Sequence, residues 1–385
     1  MPCLAARTPL SVSSQPVSSR QERPGGRIAP KVFIFSMFDS EANVWYNIPE
    51  FNLLARNITV PGLSPLFPSV HCTADGVICQ LITGEAEINA AVSITALVYS
   101  SIFDLTRTYF LVGGISGGNP KLVTTGAVTF ARYAVQVGLQ FEIDGREIPA
   151  GFNTGYIPQG SKAPDQYPRT LYGTEVFEVN DALRHIAFDF AKQAKLNDTK
   201  AAQDYRSHYG QAPAFSIASR PPGFALCDTV TADAFWAGTL LSEAFENITR
   251  LWTNGTGVYC TTQQEDNATL ETLMRSTISG LTDFSRIIIM RTISDFDRPF
   301  PGQGAAESLF ADQAGFDIGI ANIYRAGVQV VQGIVKGWDR QFKDGVKVKN
   351  YVGDIFGSLG GKPDFGPGNV FGGGKAPSTR SVRRR

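Results

Sequence analysis

The segment Arg286–Arg298, RIIIMRTISDFDR, constrains the fold of this chain more than any other feature. Four consecutive apolar residues, Ile287–Met290, lie between two arginines, a pattern typical of a short strand buried on both faces. Asp295 follows at the point where such a strand should leave the sheet. Because ligand sites in open α/β sheets lie outside the carboxyl ends of strands, Asp295 is a candidate acid or base. The alternative is an aspartate that caps the next turn.

Strands alternate with helical patterns along the chain, which predicts an α/β fold around a mainly parallel sheet. We expect one domain over residues 31–342, a disordered tail over residues 1–30, and a Gly-rich, basic disordered tail over residues 343–385. The irregular segment 141–172 is expected to be a surface loop, either a lid or an insertion. Predicted strands are 31–35, 69–73, 77–83, 108–112, 122–129, 132–139, 223–231, 257–261 and 286–291, and predicted helices are 88–101, 180–195, 232–251, 268–279 and much of 305–338.

The charge balance excludes some classes of partner. The 385 residues include 35 basic and 35 acidic side chains, so the formal net charge is zero. This argues against nucleic acid or an anionic membrane as the main partner. A membrane span needs roughly 20 largely apolar residues, and the most apolar long stretch, residues 88–105, is interrupted by polar ones, so we expect a soluble protein. His71, His185 and His208 lack metal-ligand spacing, and no metal or cofactor is expected.

Four of the five cysteines form two candidate pairs. Cys72 and Cys79 flank Asp75-Gly76, a hairpin-turn dipeptide that would place them opposite each other. They could form a disulfide or remain two reduced core cysteines. Cys227 and Cys260 are a possible second pair, although nothing local fixes their geometry.

The chain carries five Asn-X-Thr sequons, which together with the possible disulfides favour the secretory route or the cell surface. Against this, residues 1–30 lack the apolar run of a signal peptide. The localisation therefore stays open. The sequon asparagines are Asn57, Asn197, Asn247, Asn254 and Asn267.

Two glycine-bearing segments follow predicted strands, one at Gly84 and one at residues 113–118. Glycines there would let a ligand approach the backbone closely, and free N–H groups could bind its oxygens. Neither segment matches the Walker loop or the dinucleotide fingerprint. Each is weak evidence by itself, and their order along the chain is stronger evidence.

Five segments resemble, in sequence and order, those of the nucleoside phosphorylase and nucleosidase superfamily, whose members cleave the N-glycosidic bond of nucleosides. Within it, HCTADG, INAAVS, TQQEDNATLE and RTISDFDRP are most similar to the fungal purine nucleoside permeases. The resemblance covers roughly residues 31–338. It implies a three-layer α/β/α fold with a central mixed, mostly parallel sheet. The five segments are 36–41, 84–91, 112–118 with 122–126 and 131–133, 233–235, and 291–295.

The resemblance also implies roles for individual residues. Asp295 would protonate or hydrogen-bond N7 of a purine as the glycosidic bond breaks. Phe235 would stack on the base, with Trp236 completing that wall and Asp233 belonging to the same segment. Arg291 would support the sugar site by pairing with an acid, for which we favour Glu265, and Ser294 would support Asp295.

The ribose motif departs from the family pattern. Relatives present Met-Glu before Ala-Thr, whereas this chain reads Glu265-Asp266-Asn267. Because a carboxylate accepts two hydroxyl hydrogen bonds better than an amide does, we expect Glu265 to hold the ribose, with Asn267 assisting. Asp266 and Met37 complete the predicted ribose group.

Water is the expected second substrate, with phosphate as the alternative. Some phosphorylases of the superfamily place an arginine just before the glycine-rich turn, where this chain has Leu111 and Val112. A carboxylate could instead activate a water, as in the nucleosidases of the superfamily. Glu41 is the candidate base, with Asp39 as the alternative, although Glu41 could also be a surface or capping group. The residues predicted to hold the water or anion are Gly84, Gly114, Ser116 and Gly117.

The sequence therefore predicts an enzyme that cleaves adenosine, guanosine or inosine by hydrolysis, with phosphorolysis second. A protein that binds nucleosides for uptake without catalysis, or a storage protein that keeps only the fold, are the rivals from other classes. A homo-oligomer is possible.

Overall fold

The computed structural model describes residues 26–366. Its helices are α1 Asp39–Asn43, α2 Ala86–Tyr99, α3 Asp181–Ala191, α4 Lys200–Ser207, α5 Thr239–Trp252, α6 Asp266–Ile278, α7 Ala305–Phe310 and α8 Phe316–Lys336. Its strands are β1 Val32–Ser36, β2 Arg56–Thr59, β3 Ser69–Cys72, β4 Ile78–Ile82, β5 Tyr109–Gly118, β6 Val128–Ala131, β7 Tyr133–Gln136, β8 Gln140–Glu142, β9 Tyr156–Pro158, β10 Val176–Glu178, β11 Phe224–Leu226, β12 Asp228–Thr231, β13 Tyr259–Gln263, β14 Ile287–Phe296 and β15 Gly353–Asp354.

Thirteen of these strands form one mixed sheet, and β8 and β9 form a separate hairpin. Pairing is parallel within the group β4, β1, β5 and β14 and within the group β7, β12 and β13. The two groups meet where β13 pairs antiparallel with β5. The predicted α/β class with a central mixed sheet is confirmed.

Helices cover both faces of the sheet, as the alternation of side chains in β1 shows. Phe33 and Phe35 belong to one apolar core together with residues of α2 and α6. Ile34 belongs to a second core together with residues of α3 and α8. A strand buried on both faces needs apolar residues at every position, which explains the run VFIF.

Strand β14 is longer than the apolar run predicted. It continues to Phe296, pairs with β5 along its length and contains a bulge between Ile293 and Asp295. Residues 113–118, predicted as a turn, are the second half of β5. The prediction was wrong because glycine is disfavoured in strands, except where another backbone or side chain must approach closely.

Other boundaries also differ from the prediction. The strand predicted at residues 122–129 begins only at Val128, and the helix predicted from residue 232 begins at Thr239. The helix predicted over 305–338 is divided into α7 and α8. The segment 141–172 is not wholly irregular, because it contributes to the β8–β9 hairpin.

The prediction of a disordered tail from residue 343 was wrong for residues 343–366. Strand β15 pairs with β10, and Ile355 and Phe365 are buried. Phe365 packs edge-on against Tyr133 with their ring centroids 5.6 Å apart. The prediction rested on the high glycine content of this segment and overlooked its few buried apolar residues.

Residue Ile28, predicted to lie in the N-terminal tail, forms a bridge with Phe103. The remainder of both predicted tails lies outside the described residues.

Both predicted disulfides are confirmed. Cys72 and Cys79 are bonded across the β3–β4 pair, and Cys227 is bonded to Cys260 in β13. Over residues 26–366, no helix is long and apolar enough to cross a membrane.

Candidate functional site

A cavity of about 440 Å³, which we call the Asp295 cavity, lies among four strands of the sheet. Its wall includes residues of β5 and β14, residues at the end of β13 and residues that directly follow β1. Parallel strands of an α/β sheet present their carboxyl ends at one edge, which is where ligands bind. The cavity brings together nine of the residues predicted for the site: Met37, Glu41, Ser116, Gly117, Phe235, Glu265, Arg291, Ser294 and Asp295.

The bulge in β14 sets the position of Asp295. An extra residue at a bulge re-aims the neighbouring side chain, and Asp295 pairs with Gly117 directly after it. The hydroxyl of Ser294 donates to Oδ2 of Asp295 at 2.6 Å. Burial, the larger cause, and the nearby carboxylate of Asp297 raise the pKa of Asp295, which the bond from Ser294 partly offsets. The carboxyl group faces the cavity rather than capping a turn.

Gly117 and Gly114 make room for the acids. A Cβ at Gly117 would collide with the hydroxyl of Thr262 and lie 3.2 Å from Oδ1 of Asp295. A Cβ at Gly114 would lie 2.5 Å from Oε1 of Glu41 and 2.8 Å from Nη1 of Arg291. Gly114 itself is not in the cavity wall, so its effect on the site is steric.

Glu41 is a buried carboxyl group held from two sides. It is 1% exposed, and the backbone N–H groups of Met37 and Ile115 each donate to one of its oxygens at 2.7 Å. Burial raises the pKa of Glu41 to about 8, although Arg291 and the two backbone donors oppose this shift. The alternative base, Asp39, is exposed and does not line the cavity.

Arg291 pairs mainly with Asp266 and less closely with Glu265. Its Nη2 lies 2.5 Å from Oδ1 of Asp266 and 3.5 Å from Oε2 of Glu265. Asp266 is fully buried, does not line the cavity and is paired with Arg291, so the structure does not bring it to the predicted ribose group. Glu265 does line the cavity.

Glu265 is oriented by the first turn of α2. The N–H of Ala86, a residue with a strained positive φ of 72°, donates to Oε1 of Glu265 at 3.0 Å. The next N–H, of Glu87, donates to Asp233 at 2.9 Å. The N-terminus of a helix carries partial positive charge and favours such carboxylates. Burial nevertheless raises the pKa of Glu265. Gly84 precedes this turn with φ 85° and lies outside the cavity wall.

Asn267 points away from the Asp295 cavity. Its Oδ1 accepts from the hydroxyl of Thr231, and its Nδ2 donates to the carbonyl of Thr174, both at 2.7 Å. The structure therefore does not bring Asn267 to the predicted ribose group. Successive residues at the start of a helix point in directions about 100° apart, so few of Glu265, Asp266 and Asn267 can face one cavity.

The predicted base wall is divided between two cavities. Phe235 is 62% exposed and lines the Asp295 cavity. Trp236 and Asp233 instead line a neighbouring cavity.

Sequence reasoning missed several residues of the Asp295 cavity. Thr262 and Gln264 adjoin the Glu265 motif and Phe38 follows Met37, so these three could have been inferred, whereas the segment 311–316 arrives through tertiary packing alone.

The wall of the Asp295 cavity is strongly acidic. Five carboxyl groups line it, and among the described residues of the wall Arg291 is the one cationic side chain. The guanidinium of Arg291 is already bonded to Asp266 and to the carbonyl of Ile115. The acids are Glu41, Glu85, Glu265, Asp295 and Asp312.

A family model described as purine nucleoside permease (NUP) matches residues 29–347. A purine nucleoside permease of Candida albicans is 47% identical over 351 residues, covering 89% of this chain and 85% of that protein. A probable purine nucleoside permease of Schizosaccharomyces pombe is 42% identical over 319 residues, covering 80% and 90%.

Solved structures give more distant matches. Futalosine hydrolase of Helicobacter pylori is 12% identical and covers 79% of this chain and 98% of its own, with a TM-score of 0.47. A 5'-methylthioadenosine/S-adenosylhomocysteine nucleosidase of Neisseria meningitidis is 15% identical and covers 80% and 99%, with a TM-score of 0.44.

Proposed function

This chain belongs to the purine nucleoside permease family, and from that premise we propose that the Asp295 cavity binds a purine nucleoside and hydrolyses its N-glycosidic bond. One observation carries the proposal. Two carboxyl groups with raised pKa, Asp295 and Glu41, line the same cavity as an exposed aromatic ring, Phe235. Paired acids with shifted pKa are typical of sites that move protons.

Asp295 acts at the base in this proposal. A leaving purine accumulates negative charge as the glycosidic bond breaks, and a proton or hydrogen bond at N7 lowers that barrier. A carboxyl group with a raised pKa retains its proton at higher pH, which suits a donor. The ring of Phe235 holds the base against the cavity wall.

Glu41 and Glu265 act at the sugar. Glu265 accepts hydrogen bonds from the ribose hydroxyls, and its orientation is fixed by the N–H of Ala86. Glu41, once ionised, takes a proton from the attacking water. The two backbone donors on Glu41 hold the carboxyl in one orientation for that step.

The charge of the cavity favours water over phosphate as the second substrate. Phosphate binding relies on cationic groups with unused donors, usually arginine. Here Arg291 is bonded to Asp266, and five carboxyl groups share the wall. A phosphate dianion would find no cationic group with unused donors in the described wall, whereas a neutral water needs none.

Nucleoside binding without catalysis is the second candidate function. With a pKa of about 8, Glu41 is mostly protonated at pH 7, and a neutral carboxyl group donates a hydrogen bond rather than activating water. The relatives are called permeases, which agrees with a binding role in uptake.

Product analysis separates these functions. The full chain is incubated with adenosine, guanosine or inosine, with and without inorganic phosphate, and the sugar product is identified by mass spectrometry. We expect free ribose at a rate independent of phosphate. Ribose 1-phosphate formed only with phosphate would show phosphorolysis instead. Binding without either product would support the second candidate.

A further inference from the structure

A second cavity of about 420 Å³, which we call the Trp236 cavity, lies beside the Asp295 cavity at the same edge of the sheet. Its wall includes the residues that follow β7 and β12, two strands that pair in parallel. Phe235 lines both cavities, so one exposed ring borders both spaces. A ligand held against Phe235 in the first cavity would therefore lie next to the second.

Apolar and aromatic side chains form one side of the Trp236 cavity. The rings of Trp236 and Phe245 meet edge-on with centroids 4.7 Å apart, and Tyr156 meets Phe245 edge-on at 5.2 Å. Leu139 and Leu241 also belong to the wall. A further aromatic ring that packs against these side chains would favour an edge-to-face or offset-stacked arrangement. Because Tyr156 belongs to β9, the segment predicted as a surface excursion provides part of this wall.

The polar residues of the Trp236 cavity are acidic or neutral. Glu87, Asp233 and Glu142 line it, and its wall as described holds no lysine, arginine or histidine. Gln136 donates to Glu87, and the N–H of Glu87 donates to Asp233, so hydrogen bonds hold two of these acids in place. A negatively charged group would be repelled here and would lose its hydration without gaining a partner.

We propose that the Trp236 cavity binds an uncharged aromatic substituent carried on the purine base. The inference rests on the proposed function, since it requires the base to lie against Phe235. The Asp295 cavity supplies the contacts for the base and sugar, and the Trp236 cavity supplies a separate apolar space for the substituent. The site then favours base-substituted purine nucleosides over unsubstituted ones.

The test compares adenosine with N6-benzyladenosine by calorimetric titration of the full chain. Burying the phenyl ring should tighten binding about tenfold or more. Leu241→Trp fills the Trp236 cavity and should bring the ratio of the two dissociation constants close to one. Leu240→Trp is the matched control, because Leu240 is exposed and lines neither cavity, and its ratio should equal that of the wild type.

A charged analogue completes the test. N6-(4-carboxybenzyl)adenosine should lose the gain in affinity that the benzyl group provides. Equal affinity of the wild type for adenosine and N6-benzyladenosine would overturn the inference and leave the proposed function intact. A gain that survives Leu241→Trp, or that the carboxylate does not reduce, would also overturn it. Failure of adenosine itself to bind would instead overturn the proposed function.

Discussion

The surroundings of Glu41 have opposing effects on the pKa of its carboxyl group. Burial favours its neutral form, whereas two backbone N–H groups and Arg291 favour the carboxylate. Burial wins, and the pKa rises to about 8. A group poised near neutral pH can exchange protons with little cost, which is the property expected of a general base. Asp39, the alternative base two residues earlier, is exposed.

The pH dependence of activity follows from this pKa. As a base, Glu41 must lose its proton, so kcat/KM should rise with pH up to about 8 in the free enzyme. The limb on which kcat/KM falls with pH should reflect loss of the proton of Asp295, a carboxyl group whose pKa is raised by burial. Glu41→Gln should lower kcat by about 10²–10⁴ and remove the rising limb. The check is a pH–rate profile, with Asp39→Asn as the control that keeps both limbs.

Asp266 has a structural effect that can be measured separately. It is buried and neutralises Arg291, so Asp266→Asn leaves a buried guanidinium poorly paired. Breaking a buried pair from one side costs about 3–5 kcal/mol, and Glu265 at 3.5 Å should hold the loss near the lower end. Urea unfolding measures the change. As the control, Asp312→Asn changes an exposed acid in the wall of the Asp295 cavity and should alter the free energy of unfolding by less than about 0.5 kcal/mol. Equal losses in both variants would contradict this role.

At the scale of elements, β14 shows what the sequence could and could not predict. Its apolar run located a strand buried on both faces, and the strand direction placed Asp295 at the correct edge. The bulge before Asp295 was not predictable, because it depends on the register with β5. The glycines of β5 were assigned to a turn for the same reason, since their role is to admit Glu41, Arg291 and Thr262 from other elements.

The C-terminal segment is the clearest failure of a composition rule. Its glycine content predicted disorder, yet Phe365 is 1% exposed and contacts both Tyr133 and Tyr351. Phe365→Ala should destabilise the fold by about 3–5 kcal/mol, because it leaves a cavity in a packed core. Thermal unfolding checks this value. Lys349→Ala, at an exposed position of the same segment, is the control and should unfold with the wild type. Equal melting of all three proteins would show that the segment does not pack.

The net charge of the whole molecule is zero, but acidic side chains outnumber basic ones in the wall of the Asp295 cavity. The cavity collects five acids around one neutralised arginine, although basic and acidic residues are equal in number. Composition could exclude a polyanionic partner but could not reveal this local excess. Sequence motifs predicted that Asp295, Glu41, Glu265 and Phe235 lie together, and these four residues line one cavity. The sequence could not predict that Trp236 and Asn267 point elsewhere, because the directions of consecutive side chains depend on tertiary packing.

The central claim is that Asp295 protonates or hydrogen-bonds the leaving base. The most direct measurement is the release of base from adenosine by Asp295→Asn, alongside the dissociation constant for adenosine in the same variant. Asparagine keeps the shape but cannot donate an acidic proton, so kcat should fall by about 10²–10⁴ while adenosine still binds. Full activity in Asp295→Asn would contradict the account.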